Sequence, residues 1–238
     1  MERMAPTIHL LPGMDGTGEL FAPLLRELEP MFRCIVHRYN PMVAHDYEEL
    51  FGQLRTDIAG SGPHFLVAES FSGPLAIRLA ADLGVDTVGV VLCASFAKSP
   101  HPVALALARP LLRTTFMRRA PQWPVVTALL SGRRHKVVEQ LLRRALGGVT
   151  AEVLAQRSRA IAAVDVTADL RRISVPFLYL RATNDWVVPA RCAELVRRHL
   201  PGVVIEDVKG PHLVLQVEPV LSAGVIRDFV ESIGFRQE

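Results

Sequence analysis

The sequence predicts an α/β fold, a doubly wound, mostly parallel sheet of about six strands with a helical lid inserted after the fourth. Two observations carry the prediction. Six short apolar, β-branched runs alternate with helical patterns: Thr7–Leu11, Cys34–Arg38, His64–Ala68, Thr87–Cys93, Pro176–Leu180 and Val203–Asp207. Between about Phe96 and Asp169 the alternation stops, and only helix signals remain.

Taken in order, the first run ends in a glycine-rich turn, Leu11-Pro12-Gly13-Met14-Asp15-Gly16-Thr17-Gly18, before a helix over Leu20–Leu28. The second run leads to a helix over Tyr47–Ala59. The third passes through Glu69 and Ser70 into a helix over Gly73–Leu83, with Pro74 in the first turn, where its missing N–H costs nothing. After the fourth run, Pro110, Pro121, Pro124, Gly132 and Gly147-Gly148 divide the long connection into several helices. The fifth run precedes a loop, Ala182–Pro189, and a helix over Ala190–His199; the sixth precedes Lys209-Gly210-Pro211-His212 and a helix over Val217–Ile233. Each of these helices spaces its apolar residues three and four apart. The expected division is a core of 1–96 with 165–238 and a lid of 97–164.

At 238 residues, 50% hydrophobic and 21% charged, the chain suits one large domain carrying an insertion. Its first apolar run is too short for a signal-peptide core, and no run approaches the ~18 apolar residues of a membrane span, so a cytoplasmic location is expected. Cys34, Cys93 and Cys192 lie far apart and read as small buried hydrophobes. The eight histidines form no HxxxH, and there is no CxxC, so neither metal nor cofactor is expected. The net charge of +3 hides an asymmetry: from Lys98 to Val164 twelve Lys or Arg face two acids, a net of +10 that leaves −7 elsewhere. Such separation suggests that one segment meets an acidic partner or surface.

The segment Phe65–Ala76 carries an apolar strand into a serine and straight on into a helix. On so tight a turn the residues two before and two after the serine must be small, and here they are Ala68 and Ser72. A capped helix N-terminus explains the same residues, so position has to decide. Ligands of an open α/β sheet bind at the carboxyl ends of its strands. There the chain has Ser70 after the third run, Asp185 after the fifth and His212 after the sixth. Ser72 is a poorer nucleophile, because Pro74 occupies its small position. Asp165, Asp169 and Asp207 compete with Asp185, and His101 and His199 with His212, but only Asp185 and His212 sit in the expected loops. Glu69 reads as a strand-end residue. A dinucleotide site is disfavoured, since Gly13, Gly16 and Gly18 do not give GxGxxG and the second strand ends at Tyr39-Asn40 without a ribose-binding acid.

The order serine, acid, histidine resembles the α/β-hydrolase superfamily, and the resemblance covers almost the whole chain. It implies Ser70 as nucleophile, His212 as base, Asp185 as the acid that orients it, and the backbone amides of Met14 and Phe71 as an oxyanion hole. A serine at the elbow favours acyl transfer to water. The family's N-terminal antiparallel strands have no counterpart here, and Pro12-Gly13 stands where His-Gly is common. Within the superfamily the chain is similar to pimeloyl-[acyl-carrier protein] methyl ester esterases of biotin synthesis in its lid placement, its basic lid and the stretch Val164–Pro189. That similarity implies a serine carboxylesterase whose acyl ester arrives on an acidic acyl-carrier protein. The pairing of Pro12-Gly13 with Phe21-Ala22-Pro23-Leu24 is similar to carrier-associated thioesterases. The amphipathic stretch Pro102–Arg119 suits instead a lipase-like lid resting on anionic membrane, and a non-catalytic binding protein of the same fold is the remaining alternative. Phe116, Trp123 and Trp186 are expected to line an acyl pocket. Arg133, Arg134, Arg143, Arg144, Arg157 and Arg159 are expected to include a carrier-binding face, with a simply solvated face as the bland reading.

Overall fold

The computed structural model describes residues 7–82, 86–107 and 121–234. Its strands β1 (Thr7–Leu11), β2 (Arg33–Val36), β3 (His64–Glu69), β4 (Thr87–Cys93), β5 (Phe177–Ala182) and β6 (Val204–Val208) form one sheet in the order β2-β1-β3-β4-β5-β6. Every pairing is parallel. The expected strands all exist, with ends displaced by no more than two residues. Their apolar character is nearly continuous because helices cover both faces of the sheet, so β1 and β3 are buried along their whole length.

Alternation along a strand sorts side chains between the two layers. In β3, Leu66 and Ala68 join the layer that holds Leu50, Leu54 and Leu75. Phe65 and Val67 join the opposite layer with Leu24, Leu28, Ile226 and Val230. Each such fully buried side chain contributes roughly 1.5–3 kcal/mol. The helix Tyr47–Ile58 begins in a capping box: the Asp46 carboxylate accepts from the amides of Glu48 and Glu49, both at 2.9 Å, and the Glu49 side chain accepts from the Asp46 amide at 2.8 Å.

This strand order has one functional consequence. The chain leaves β1 for the edge strand β2 and then returns to β3 on β1's other side. The loops after β1 and β3 therefore diverge, and a crevice opens at their carboxyl ends.

Between β4 and β5 the described residues form helices, chiefly Trp123–Leu129, Lys136–Gly147 and Ala151–Ala163. The two ends of this connection meet. The Ser99 amide donates to the Val164 carbonyl at 3.0 Å and the Val166 amide to the Ala97 carbonyl at 2.8 Å, and Lys98 Nζ lies 2.8 Å from Asp165. In the helix Lys136–Gly147, Val138, Leu142, Ala145 and Leu146 form one buried stripe. They pack with Val126 and Leu130 against Leu20 and Leu213, which lie in the connections beyond β1 and β6. The helices thus roof the crevice. No helix among the described residues is long and apolar enough to cross a membrane.

Candidate active site

Ser70 stands where β3 turns into the next helix, with φ at 47°, a left-handed conformation costly for any residue with a Cβ. The surrounding bonds enforce it. The Ser70 carbonyl accepts from the Gly73 amide and from Ser95 Oγ at 2.5 Å, and the Phe71 carbonyl from the Tyr47 hydroxyl at 2.9 Å. A Cβ on Gly73 would lie 1.9 Å from Ser95 Oγ, so the helix can start this close to the end of β4 only with glycine there. Ala68 and Ser72 are fully buried, as the small-residue requirement demands. Ser72 is used internally: its hydroxyl donates to the Pro12 carbonyl and meets the Tyr39 hydroxyl at 2.6 Å.

The three residues drawn from distant loops converge. His212 Nε2 lies 2.9 Å from Ser70 Oγ, and His212 Nδ1 lies 2.8 Å from Asp185 Oδ2. The side chains of His212 and Asp185 are only 3% and 4% exposed, so water competes little for these bonds. Asp185 is itself oriented, its Oδ1 accepting from the amides of Val187 at 2.7 Å and Val188 at 2.8 Å. Its loop is tied down by the Asn184 amide on the Gly210 carbonyl at 2.9 Å. With Asp185 accepting, His212 Nδ1 carries the proton and Nε2 is left to accept from Ser70. An arrangement of this kind can activate a serine as a nucleophile and hold a histidine in the tautomer that acts as its base. The competing acids are engaged elsewhere: Asp165 with Lys98, Asp207 with Arg181 and Asp169 with Arg172. Of the competing bases, His101 bonds the Val187 carbonyl at 2.8 Å, and His199 ends the helix Arg191–His199.

Glu69, read from the sequence as a strand-end residue, is only 2% exposed and lines the cavity next to Ser70. Its Oε1 accepts from Gln216 Nε2 at 2.9 Å, while its Oε2 is buried without a hydrogen-bond partner among the described residues. Burial pushes its carboxyl up to about 7, aided by the nearby charge of Asp15 and opposed by Gln216 and His212. Because the folded-state value exceeds the unfolded one, the folded state holds the proton more tightly. Stability tied to Glu69 is thus full below about pH 4.5 and is lost as pH rises through about 7. Glu69→Gln should gain on the parent by up to roughly 3 kcal/mol between pH 5 and pH 8. Urea denaturation of both proteins at the two pH values reads this directly, and a difference independent of pH would show that Glu69 titrates normally. The sequence signal was a lone acid ending an otherwise apolar strand.

A cavity of about 270 Å³ opens above Ser70, Glu69 and His212. Its far wall is apolar, built from Leu20, Val125, Leu129, Leu142, Leu146 and Leu213. Of the aromatic residues expected there, Trp123 and Trp186 are not in this wall. Phe116 lies outside the described residues, as does most of the stretch on which a membrane-resting lid depends. Trp123 and Trp186 are each 63% exposed. The helix that starts at Trp123 turns Val125, Ala128 and Leu129 inward, which leaves Trp123 on another face. Trp186 follows a residue whose carboxylate is anchored inward, and its ring covers Gly132 instead.

Arg133, Arg134, Arg143, Arg144 and Arg159 are exposed, Arg144 lying 3.5 Å from Glu19 and Arg159 bonding Gln156 at 2.8 Å. Arg157 is a correction, being 1% exposed and therefore unavailable to an external partner. Residues two apart on a helix point about 200° from each other, so Arg157 and Arg159 cannot share a face. Arg157 joins Val153, one turn earlier, on the buried side.

The family model described as serine aminopeptidase, S33 matches residues 32–206, a span that holds Ser70 and Asp185 and stops short of His212. No match is found among curated proteins. Among solved structures the fold is similar to an enol-lactonase from Burkholderia xenovorans LB400, with a TM-score of 0.83 and 20% identity over 95% of this chain and 92% of that one. It is similar also to the esterase EaEST from Exiguobacterium antarcticum, with a TM-score of 0.80 and 16% identity over 95% and 92%. A thermophilic esterase from Thermogutta terrifontis gives 0.81 and 20% over 96% and 90%. With a family model covering well over half of its length and a sheet of the matching topology, the chain belongs to the serine aminopeptidase S33 family and is a hydrolase of the α/β-hydrolase superfamily.

Proposed function

We propose that the protein is a serine carboxylesterase acting through an acyl-enzyme. The observation that carries this reading is the hydrogen-bonded line from Ser70 through His212 to Asp185 at the floor of an apolar cavity. His212 takes the Ser70 proton as Oγ attacks the ester carbonyl, the amides of Met14 and Phe71 hold the oxyanion, and His212 returns the proton to the departing alcohol. Water then enters by the same route and releases the acid. A confined apolar cavity of about 270 Å³ favours short to medium acyl groups. In this reading the segment 97–164 is the lid that walls the acyl chain.

A second reading concerns delivery of the substrate. Arg133, Arg134 and Arg143 are exposed, and no ion pair engages them among the described residues. Together with Lys136 they present an unneutralised basic surface beside the cavity wall, which suits an acidic acyl-carrier protein.

One experiment tests both readings. The protein is treated with a fluorophosphonate and the modified residue located by mass spectrometry. It is then assayed on p-nitrophenyl esters from acetate to palmitate, an aminoacyl p-nitroanilide, an acyl-carrier thioester and a pimeloyl-carrier methyl ester. Modification at Ser70 with highest kcat/KM on a C4–C8 ester is the expected result, and preference for the anilide would replace the esterase reading with a peptidase one. Carrier delivery requires that Arg133→Glu with Arg134→Glu weaken only the carrier-bound substrates, in a salt-dependent way. Equal loss on free esters would rule it out.

A further inference from the structure

The loop after β1 has five consecutive carbonyls engaged. Pro12 accepts from Ser72 Oγ, Gly13 from the Gly16 amide at 3.0 Å, and Gly16 from the Tyr39 amide at 2.8 Å. The two between them, Met14 and Asp15, both accept from Arg157 Nη1, at 2.9 and 2.7 Å. The Met14 amide, by contrast, donates to no protein atom among the described residues. In a trans peptide the Met14 N–H points opposite the Gly13 carbonyl. With the carbonyls on both sides of Met14 held, the direction of that N–H is held too.

Arg157 comes from the helix Ala151–Ala163, more than a hundred residues along the chain. Its Nη2 adds a bond to the Asn40 carbonyl at 3.3 Å, and its guanidinium stands 5.6 Å from the Tyr39 ring centre and 6.0 Å from that of Phe71. None of its hydrogen bonds goes to a carboxylate. A buried cation without a bonded anion is a poor choice for stability alone, since an apolar side chain of similar size avoids the desolvation cost. The loop is shaped to receive it: Gly16 has φ at 69°, and a Cβ there would lie 2.5 Å from Nη1.

We infer that Arg157 is a positioning residue for the oxyanion hole, fixing the Met14 amide through the carbonyls of Met14 and Asp15. The inference rests on reading Ser70 as the nucleophile and the Met14 amide as an oxyanion donor. It also divides the β4–β5 connection in two, because the helix that bears Arg157 is fastened to the loop after β1.

The test compares the parent with Arg157→Met, Arg157→Ala and Arg157→Lys, using p-nitrophenyl butyrate, butylboronic acid as a tetrahedral adduct former, and butyrate as a ground-state ligand. Losing one well-aimed oxyanion donor costs on the order of a hundredfold in kcat, so Arg157→Met should fall by that much while KM changes by no more than about threefold. Boronate affinity should fall in step with kcat, butyrate affinity should not, and methylguanidinium should restore part of the Arg157→Ala rate without affecting the parent. Arg157→Lys, which keeps the charge and can meet at most part of this set of carbonyls, should fall between. Folded variants with parental kcat, or with boronate and butyrate affinities reduced equally, overturn the inference. Failure of all three variants to fold also overturns it, by making Arg157 a stability residue. If the parent itself is not modified at Ser70 by a fluorophosphonate, the fault lies in the underlying esterase reading.

Discussion

Ser70→Ala is expected to lower kcat/KM on p-nitrophenyl butyrate by on the order of 10⁵- to 10⁶-fold and to abolish fluorophosphonate labelling, because no other hydroxyl can replace its oxygen. Ser72 is the nearest alternative, and its hydroxyl is buried and committed to the Pro12 carbonyl and Tyr39. The change should cost little stability. One hydrogen bond to His212 is lost, worth about 1 kcal/mol net. The backbone strain at φ 47° persists, since alanine has the same Cβ. Ser70→Gly removes that Cβ and with it a penalty of ~1–2 kcal/mol, partly offset by the greater freedom of glycine in the unfolded chain. The glycine variant should therefore be as inactive as the alanine variant yet about 0.5–1 kcal/mol more stable than it. Thermal denaturation of the two variants beside the parent measures this. An alanine variant that still hydrolyses the ester or is still labelled would exclude Ser70 as the nucleophile, and a glycine variant less stable than alanine would show that the turn is not strained.

The sheet was legible because its signal is local. Buried parallel strands are short apolar runs, and six of them stood out at intervals that only crossover helices could fill. The convergence of the candidate site was legible for a related reason, since loops following parallel strands share one end of the sheet, and Ser70, Asp185 and His212 each follow such a strand. Features that depend on contact between distant segments were less accessible. Arg157 looked like one of several surface arginines, although a spacing of two residues on a helix sets it opposite Arg159. The wall of the cavity was expected from conspicuous aromatics, whereas the inward stripe of Lys136–Gly147 with Leu20 and Leu213 builds it among the described residues. The histidines appeared scattered, yet His9, His37 and His64 meet, His9 Nδ1 lying 2.8 Å from His37 Nε2 and the His9 and His64 ring centres 5.0 Å apart. Burial and the neighbouring imidazoles hold His9 down at about 3. Adjacent strands β1 and β3 bring His9 and His64 together, and strand adjacency cannot be read from spacing along the chain.

Asp185→Asn is the sharpest test of how the base is held, because the fold dictates which way the amide must face. Asp185 Oδ1 accepts from two backbone amides, those of Val187 and Val188. An asparagine that put its NH₂ group there would set donors against donors, so its oxygen must take the Oδ1 position. Its NH₂ then occupies the Oδ2 position and faces His212 Nδ1 at 2.8 Å. A donor at that point requires Nδ1 to accept, which moves the imidazole proton to Nε2 and leaves His212 unable to take one from Ser70. The expected result is a fall of about 10⁴-fold in kcat with KM nearly unchanged. Stability should stay within about 1 kcal/mol of the parent, since the two amide bonds survive. Asp185→Ala makes the contrast. It removes the acceptor for both amides and should cost ~2–3 kcal/mol in stability in addition to activity. Fluorophosphonate labelling should slow in Asp185→Asn in proportion to kcat, because in the proposed mechanism both report the nucleophilicity that His212 confers. Parental kcat in a folded Asp185→Asn protein would mean that His212 is oriented by something other than this carboxylate. A large loss of stability in the same variant would mean instead that the amide does not settle as the two backbone donors require.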